Sequence, residues 1–327
     1  MRKIIKWGIL GCGRIAHKFA EGLKVLSEAK LDAVASKTEG KAEDLGKMFG
    51  VKNIYNNYEE LVRNPAINVI YIATTHNFHY KNTLLCLEHG KPVLCEKPIT
   101  LNANQAKDLI KIARNNNLFL MEAMWTRFLP CIIKLNEIID QDIIGEIKHI
   151  TADFGINHEF DPKARAFNPE LGGGALLDLG IYPINFARMV YKRSPFKIKS
   201  IADIGITKVD ERSCYLFKYE NGQTAMLSSS YRLLMKHNAF IFGTKGYLKI
   251  PDFYHPTKIV LKLEGKPKKI FRVPFKSTGY NYEAIEVMKC LNSNQIESTI
   301  MPLNETLEIM KTMDIIRSQW NLKYPGE

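Results

Sequence analysis

The sequence predicts an α/β protein of two domains: a doubly wound parallel sheet with helices on both faces, then an α+β domain with a large, mainly antiparallel open sheet. Three observations carry that prediction. Short apolar runs alternate with helical patterns up to Glu122. A Gly11-Cys12-Gly13-Arg14-Ile15-Ala16 turn joins the first run to the first helix. After Glu122, strand patterns follow one another with turn signals between them. Alternating strand and helix implies right-handed crossovers and parallel pairing, whereas consecutive strands imply hairpins. The chain therefore divides into residues 1–122 and 123–327, and its length suits two domains.

Residues 4–10, Ile-Ile-Lys-Trp-Gly-Ile-Leu, read as a buried strand, with a helical pattern after the glycine turn through Phe19, Leu23 and Leu26. The pattern repeats as strand Leu31–Ala35, helix Gly40–Phe49, strand Val69–Ala73, helix Asn77–His89 and strand Val93–Cys95. Asn102 caps a helix running to Asn116, and Leu118–Met121 is the last strand of that sheet. Further strands are expected at Glu146–Phe154, Lys197–Ile206, Ser213–Tyr219, Thr224–Tyr231, Ala239–Phe242 and Tyr247–Ile250. Asn221-Gly222 and Lys245-Gly246 supply hairpin turns between them. Helices at Ala175–Val190 and Tyr282–Leu291 are expected to cover one face of this sheet. Its other face carries Ile, Phe and Tyr outward, so it is expected to pack against a second subunit as a homodimer or homotetramer.

Composition narrows the classes. No run approaches the ~20 apolar residues of a membrane span. Lys3, Lys6 and Gly8 interrupt any export segment, so a cytoplasmic protein without membrane partners is expected. Cysteines at 12, 86, 95, 131, 214 and 290 have no paired CxxC spacing, which argues against a zinc site or a disulfide framework. The net charge of +12 is scattered, with only Lys266-Pro267-Lys268-Lys269 clustered at a hairpin, so no nucleic-acid partner is expected. Some of this charge suits a phosphorylated cofactor.

The glycine turn follows a strand, opens a helix and ends in Ala16, which is the context of a dinucleotide fingerprint in a Rossmann fold. Gly11 permits the tight turn, Gly13 lets the backbone approach a pyrophosphate, and the helix N-terminus at Arg14 and Ile15 holds the phosphates. About 20 residues on, an NAD enzyme carries an acidic residue for the ribose 2′-hydroxyl. Here Ser36-Lys37-Thr38 can bond and charge-pair a 2′-phosphate, so NADP is expected, with NAD as the alternative because Glu39 is nearby. Thr74 and Asn77 leave the carboxyl end of the strand Val69–Ala73, where ligand loops sit, and His79 follows in the next helix. His76 and His79 lack a third ligand at suitable spacing, so no metal is expected. Lys97 lies in Glu96-Lys97-Pro98 at a strand exit, where the proline favours extended backbone and is compatible with a cis peptide. That aims one amine at the reacting end of a cofactor, and Glu96 fixes the loop.

Together the Gly11–Ala16 turn, Glu96-Lys97-Pro98 and the segment from Gly172-Gly173-Gly174 through Asp178 to Tyr182 resemble the glucose–fructose oxidoreductase, inositol dehydrogenase and MocA family. Glu122-Ala123-Met124-Trp125-Thr126-Arg127-Phe128 and Tyr182, where many relatives have His, resemble its dihydrodiol and xylose dehydrogenase branch. The likeness extends through Ala284–Leu291 and Leu303–Trp320 and so covers nearly the whole chain. It implies that Lys97 is catalytic and that Asp178 and Tyr182 face the substrate. Four residues apart on a helix, Asp178 and Tyr182 share one face.

Hydride transfer at a carbinol carbon needs a proton donor or acceptor on the oxygen. Tyr182 suits that role, its phenolate favoured by a Lys97 ammonium, and the alternative is that Lys97 handles the proton while Tyr182 positions. Asp178 is expected to accept a substrate hydroxyl and orient Lys97, and Trp125, Arg127 and Arg165 are candidate substrate contacts. Tyr280 and Tyr282 read as core or interface. The expected function is NADP-dependent oxidoreduction of a small sugar, polyol or cyclic diol. A non-catalytic NADP-binding sensor is the rival from another class, and intact Lys97, Asp178 and Tyr182 argue against it.

Overall fold

The computed structural model describes residues 4–327, which form two compact units. One comprises the chain up to Thr100, Asn104–Phe128 and Lys276–Leu307; the other comprises Leu101–Ala103, Leu129–Phe275 and Glu308–Glu327.

The first unit is built on β1 (Ile5–Leu10), α1 (Arg14–Lys24), β2 (Ala29–Ala35), α2 (Lys41–Phe49), β3 (Asn53–Tyr55), α3 (Tyr58–Arg63), β4 (Val69–Ile72), α4 (His76–Glu88), β5 (Val93–Glu96), α5 (Ala103–Asn115) and β6 (Leu120–Ala123). Its six strands are all parallel, in the order β3-β2-β1-β4-β5-β6. β4, β5 and β6 are buried along their whole length, as apolar strands covered on both faces must be. The strand order reverses between β1 and β4, and ligands of open α/β sheets bind at the carboxyl ends there. β3 and α3 are additions to the expected pattern. A short 3-10 turn, Trp125–Phe128, follows β6.

The second unit holds α6 (Pro130–Asp140), β7 (Ile147–Gly155), a π-helical turn Leu176–Gly180 running into α7 (Ile181–Tyr191), and β8 (Lys197–Ile204). Then come β9 (Asp210–Lys218), β10 (Thr224–Ser230), β11 (Ala239–Gly243), β12 (Gly246–Ile250), β13 (Lys258–Leu263) and β14 (Lys269–Arg272). These strands form one sheet, β14-β13-β12-β11-β7-β10-β9-β8, antiparallel except where β7 meets β10. The predicted Asn221-Gly222 turn joins β9 to β10, with Gly222 left-handed at φ +76°.

Two helical expectations need correction. Helix α8 (Asn281–Asn292), expected to cover the antiparallel sheet, belongs to the first unit, where it packs on α1 and the Trp125–Phe128 turn. The sheet is covered instead by α6, the π-helical turn, α7 and the chain end, where Trp320 lies flat against Tyr215. α9 (Leu303–Ser318) contributes to the first unit up to Leu307 and to the second from Glu308. The helix expected over Ala175–Val190 opens with π geometry, so four-residue spacing does not by itself put Asp178 and Tyr182 on one face. Strands β13 and β14 extend the sheet beyond the expected last strand.

The outer face of that sheet is apolar over β10, β9 and the edge strand β8. Leu216 pairs with Met226 and Cys214 with Ile201 across the ladder, and Ile201, Leu216 and Met226 are all exposed. Among the described residues no helix is long and apolar enough to cross a membrane.

Candidate active site

In the first unit the glycine turn sits where β1 hands the chain to α1. Gly11 is left-handed at φ +93°, its N–H donating to the Ala35 carbonyl at 2.9 Å. A Cβ there would lie 2.9 Å from Thr74 Cγ2 and 3.0 Å from the Ala73 carbonyl, so the close approach of the loops after β1 and β4 requires glycine. Gly13 is different: it is the N-cap residue of α1, extended at φ −83°, and a Cβ built on it would meet nothing within 4 Å. Open space above Gly13, at a helix N-terminus starting with Arg14 and Ile15, is the shape a dinucleotide pyrophosphate fills.

A cavity of about 760 Å³ opens beside this turn, lined by Cys12, Gly13, Arg14, His17, Lys41 and Lys47 among others. Arg14, Lys41 and Lys47 outnumber Asp44 among its charged residues, and the Cys12 thiol is pushed up to about 12, chiefly by burial, so it stays neutral. Sequence reasoning found Gly13 and Arg14 but missed the residues contributed by α2. The signal was there: Lys41 is the first residue of a helix capped by Gly40. Ser36 is buried, and its Oγ accepts the Thr38 N–H at 3.1 Å. The Lys37 ammonium lies 5.0 Å from the centre of the Tyr58 ring, which holds the exposed side chain over an aromatic face.

The loop after β4 is tied down internally. Asn82 Nδ2 donates to Thr74 Oγ1 at 3.1 Å, and Thr75 Oγ1 donates to Asn77 Oδ1 at 2.6 Å. His79 is fully buried, with Nδ1 2.7 Å from the Pro98 carbonyl and Nε2 3.0 Å from the Thr74 carbonyl. It therefore links the loop after β4 to the turn after β5, as a hydrogen-bonded structural residue would.

That turn carries Lys97, half-buried, with a cis Lys97-Pro98 peptide. The Lys97 N–H donates to Glu96 Oε2 at 3.2 Å, and Tyr71 donates its hydroxyl proton to Glu96 Oε1. Beyond the proline, Ile99 N–H donates to Glu122 Oε1 at 3.0 Å. The backbone is thus held on both sides of Lys97. Glu283 of α8 is fully buried near Glu96, and burial first and the Glu96 charge second hold its carboxyl well above the usual range. Neither Glu122 nor Glu283 was picked out from sequence as a site residue.

Trp125 stacks on Tyr280 with ring centres 4.6 Å apart. Arg127 is 4% exposed, and its guanidinium donates to Glu305 at 3.1 Å and to the Ile300 carbonyl at 3.2 Å. These bonds anchor the chain from 300 to 305.

In the second unit Asp178 sits in the π-helical turn and gathers two donors. Arg165 Nη2 reaches its Oδ2 at 2.6 Å, and Tyr231, at the end of β10, donates its hydroxyl proton to the same oxygen. Asp178 draws the Arg165 guanidinium further into its charged form, while burial is the first cause holding the Tyr231 hydroxyl protonated. Tyr231 had no sequence signal, lying 53 residues from Asp178. Tyr182, at the start of α7, sets its ring edge-on to Phe154 at 5.2 Å and to Tyr254 at 6.0 Å. The glycines before the π-helical turn are explained by crowding. A Cβ on Gly173 would lie 2.7 Å from the Arg165 carbonyl, and one on Gly174 2.5 Å from Asp210 Oδ1. Asp210 in turn accepts the Leu176 N–H at 2.8 Å and caps the turn.

Comparison with known proteins gives one answer across the chain. Residues 5–124 match the oxidoreductase family model with the NAD-binding Rossmann fold, and residues 132–249 match the GFO/IDH/MocA C-terminal domain model. The trans-1,2-dihydrobenzene-1,2-diol dehydrogenase of Xenopus tropicalis is 37% identical over 98% of this chain and 99% of its own. The human enzyme of that name is 33% identical over 99% of each chain. Among solved structures, the 3-ketoreductase KijD10 from Actinomadura kijaniata, in complex with NADP and TDP-benzene, superposes with a TM-score of 0.87. That match is 23% identical and covers 97% of this chain and 98% of the other. The aldose-aldose oxidoreductase from Caulobacter crescentus gives 0.87 at 22% identity, covering 97% of both chains. With a glycine turn shaped for a dinucleotide, a pinned lysine after β5 and these matches over both halves, the chain belongs to the GFO/IDH/MocA oxidoreductase family.

Proposed function

We propose that this NAD(P)-dependent oxidoreductase interconverts a CH–OH and a C=O group on a small sugar, polyol or cyclic diol, with Lys97, Asp178 and Tyr182 as its catalytic residues. The observation that carries the reading is the Lys97 turn: an amine at the carboxyl end of β5, its backbone gripped by Glu96 and Glu122, on the same sheet edge as the glycine turn. Bound nicotinamide would supply or accept the hydride.

Everything else falls to side chains. Gly11, Gly13, Arg14 and Ile15 hold the diphosphate, and Ser36, Lys37 and Thr38 meet a ribose 2′-phosphate, so NADP is preferred over NAD. The loop bearing Thr74, Asn77 and His79, together with Glu96, completes the cofactor cradle. Lys97 and Tyr182 stabilise and protonate the carbonyl oxygen, or take the hydroxyl proton in the reverse direction. Asp178, held by Arg165 and Tyr231, accepts a substrate hydroxyl. Trp125, stacked on Tyr280, is a candidate contact for a substrate ring.

Relatives named for a dihydrobenzenediol support a diol as first choice. The exposed Ile201, Leu216 and Met226 on the open sheet support a second copy of this chain as the partner. Unpaired cysteines suit a cytoplasmic setting.

The test is Lys97→Ala, followed by NADPH absorbance over a panel of aldoses, inositols and trans-1,2-dihydrobenzene-1,2-diol. Turnover should fall at least ~100-fold with NADPH affinity nearly intact. A variant with near-normal turnover refutes the role of Lys97.

A further inference from the structure

Of the two grips on Lys97, one comes from a neighbouring strand. Glu122 on β6 lies in register with Cys95 on β5 and is 0% exposed. Its Oε1 accepts the Ile99 N–H at 3.0 Å, and its Oε2 accepts the hydroxyl of Thr306, on α9, at 3.0 Å. One carboxylate thus ties the residue two beyond Lys97 to a helix 184 residues away from Glu122. Two hydrogen bonds are few for a buried carboxylate, which in water satisfies about four lone-pair sites.

We propose that Glu122 is a positioning residue for the reaction: its ionised carboxylate holds the Ile99 amide, fixes where the Lys97 side chain leaves β5 and favours the Lys97 ammonium. This rests on the reading of Lys97 as catalytic.

Groups facing Glu122 come from three elements. Lys97 and Cys95 lie on β5 and its exit, with Glu96 between them in sequence. Arg127 faces it from the 3-10 turn, already bound to Glu305, and Thr306 from α9. The Cys95 thiol is held well above its usual range by burial, so it stays neutral. Burial pushes the Glu122 carboxyl up to about 7, against the Ile99 and Thr306 hydrogen bonds and the charges of Arg127 and Lys97. Its charge therefore changes where Arg127 and Cys95 do not titrate.

Below that pH the neutral acid can place its proton on Oε2, toward Thr306, and keep only an uncharged carbonyl for Ile99. The amide grip weakens and Lys97 loses a neighbouring anion. Glu122→Gln reproduces that neutral form at every pH, because the amide carbonyl can accept from Ile99 while its NH₂ donates to Thr306.

Two readouts test this on the full-length protein. The first needs no cofactor: the pH dependence of Lys97 acetylation by trace acetic anhydride, read by mass spectrometry. Glu122→Gln should shift the reactivity of Lys97 to lower pH. The second is the pH profile of kcat with NADP and trans-1,2-dihydrobenzene-1,2-diol. The parent's acidic limb, centred near 7, should vanish in Glu122→Gln. At alkaline pH kcat should be about tenfold lower, with KM changed less than about twofold.

A purely structural glutamate would lower the melting temperature and leave both profiles in place, and that result overturns the proposal. If Glu122→Gln does not fold, Thr306→Val decides. Removing the donor on Oε2 should move the limb to higher pH, and an unmoved limb overturns the proposal. Lys97→Ala in the turnover assay separates the two claims. Normal turnover in Lys97→Ala sinks the catalytic reading itself, whereas abolished turnover beside an unchanged Glu122→Gln profile sinks only the positioning role.

Discussion

Replacing Gly13 and Gly11 by alanine, one at a time, should separate what the glycine turn does for binding from what it does for folding. Gly13 has φ −83° and ψ −175°, dihedrals alanine adopts freely, and nothing stands within 4 Å of the new methyl. A glycine-to-alanine change at such a site stabilises by about 0.4–1 kcal/mol through the unfolded chain. Gly13 is also the N-cap of α1, where alanine is worse than glycine by roughly 0.5–1 kcal/mol. The two effects nearly cancel, so the stability of Gly13→Ala should stay within about 0.5 kcal/mol of the parent. Gly11 has no such freedom. Its φ of +93° costs alanine about 1–2 kcal/mol, and the methyl would press on the Ala73 carbonyl, backbone that cannot swing aside. Crowding of that kind adds about 1–3 kcal/mol, so Gly11→Ala should lose roughly 2–5 kcal/mol.

Binding should not follow stability. In Gly13→Ala the methyl occupies the space left for the pyrophosphate, and NADPH affinity should drop at least about tenfold, or ~1.4 kcal/mol. Urea unfolding without cofactor gives the stabilities, and quenching or transfer of protein fluorescence on NADPH titration gives the affinities. If Gly13→Ala bound NADPH like the parent, or unfolded as easily as Gly11→Ala, the turn would not be the phosphate cradle described above.

Three further outcomes are expected. Lys37→Glu should weaken NADP far more than NAD in paired titrations, and equal losses would remove the basis for cofactor preference. Asp210 is fully buried, and burial raises its carboxyl from 3.8 to about 7 despite bonds from Leu176 and Ser213. The folded state therefore holds this proton more tightly than the unfolded chain. Its contribution to stability is complete below about pH 4 and lost as pH rises through about 7, on the order of 4 kcal/mol over three units. Asp210→Asn should remove that part of the slope, so unfolding curves at pH values across this window should diverge from the parent's. Finally, Leu216→Arg on the open sheet should shift sedimentation toward the monomer, with the fold intact by circular dichroism. No shift would place any subunit contact elsewhere.

The parallel sheet was legible because fully apolar strands such as Val69–Ile72 alternate with helices of clear period. β3 and α3 were not, because three and six residues are too short to show a period. Asn57 nonetheless accepts the Glu60 N–H as a helix cap, a signal present in the sequence and passed over. β13 holds two lysines around three apolar residues and shows no period-two pattern. An amphipathic period says that α8 buries one face but not against what, which is why it was assigned to the wrong sheet. At the site, Lys97, Asp178 and the glycine turn were visible as motifs. Glu122 stood in the Glu122–Phe128 motif, but its bond to Thr306, like that of Tyr231 to Asp178, bridges dozens of residues and leaves no local pattern.

Residues 276–307 return to the parallel-sheet unit after the chain has built its antiparallel sheet, and Leu120 on the outermost strand donates its N–H to Ile296. On the ribosome, the nucleotide-binding half therefore waits, unfinished, until almost the whole polypeptide has been made. Any attempt to transplant that half onto another scaffold by cutting once after β6 would leave behind the helix that shields α1, and the graft would emerge with a raw hydrophobic flank.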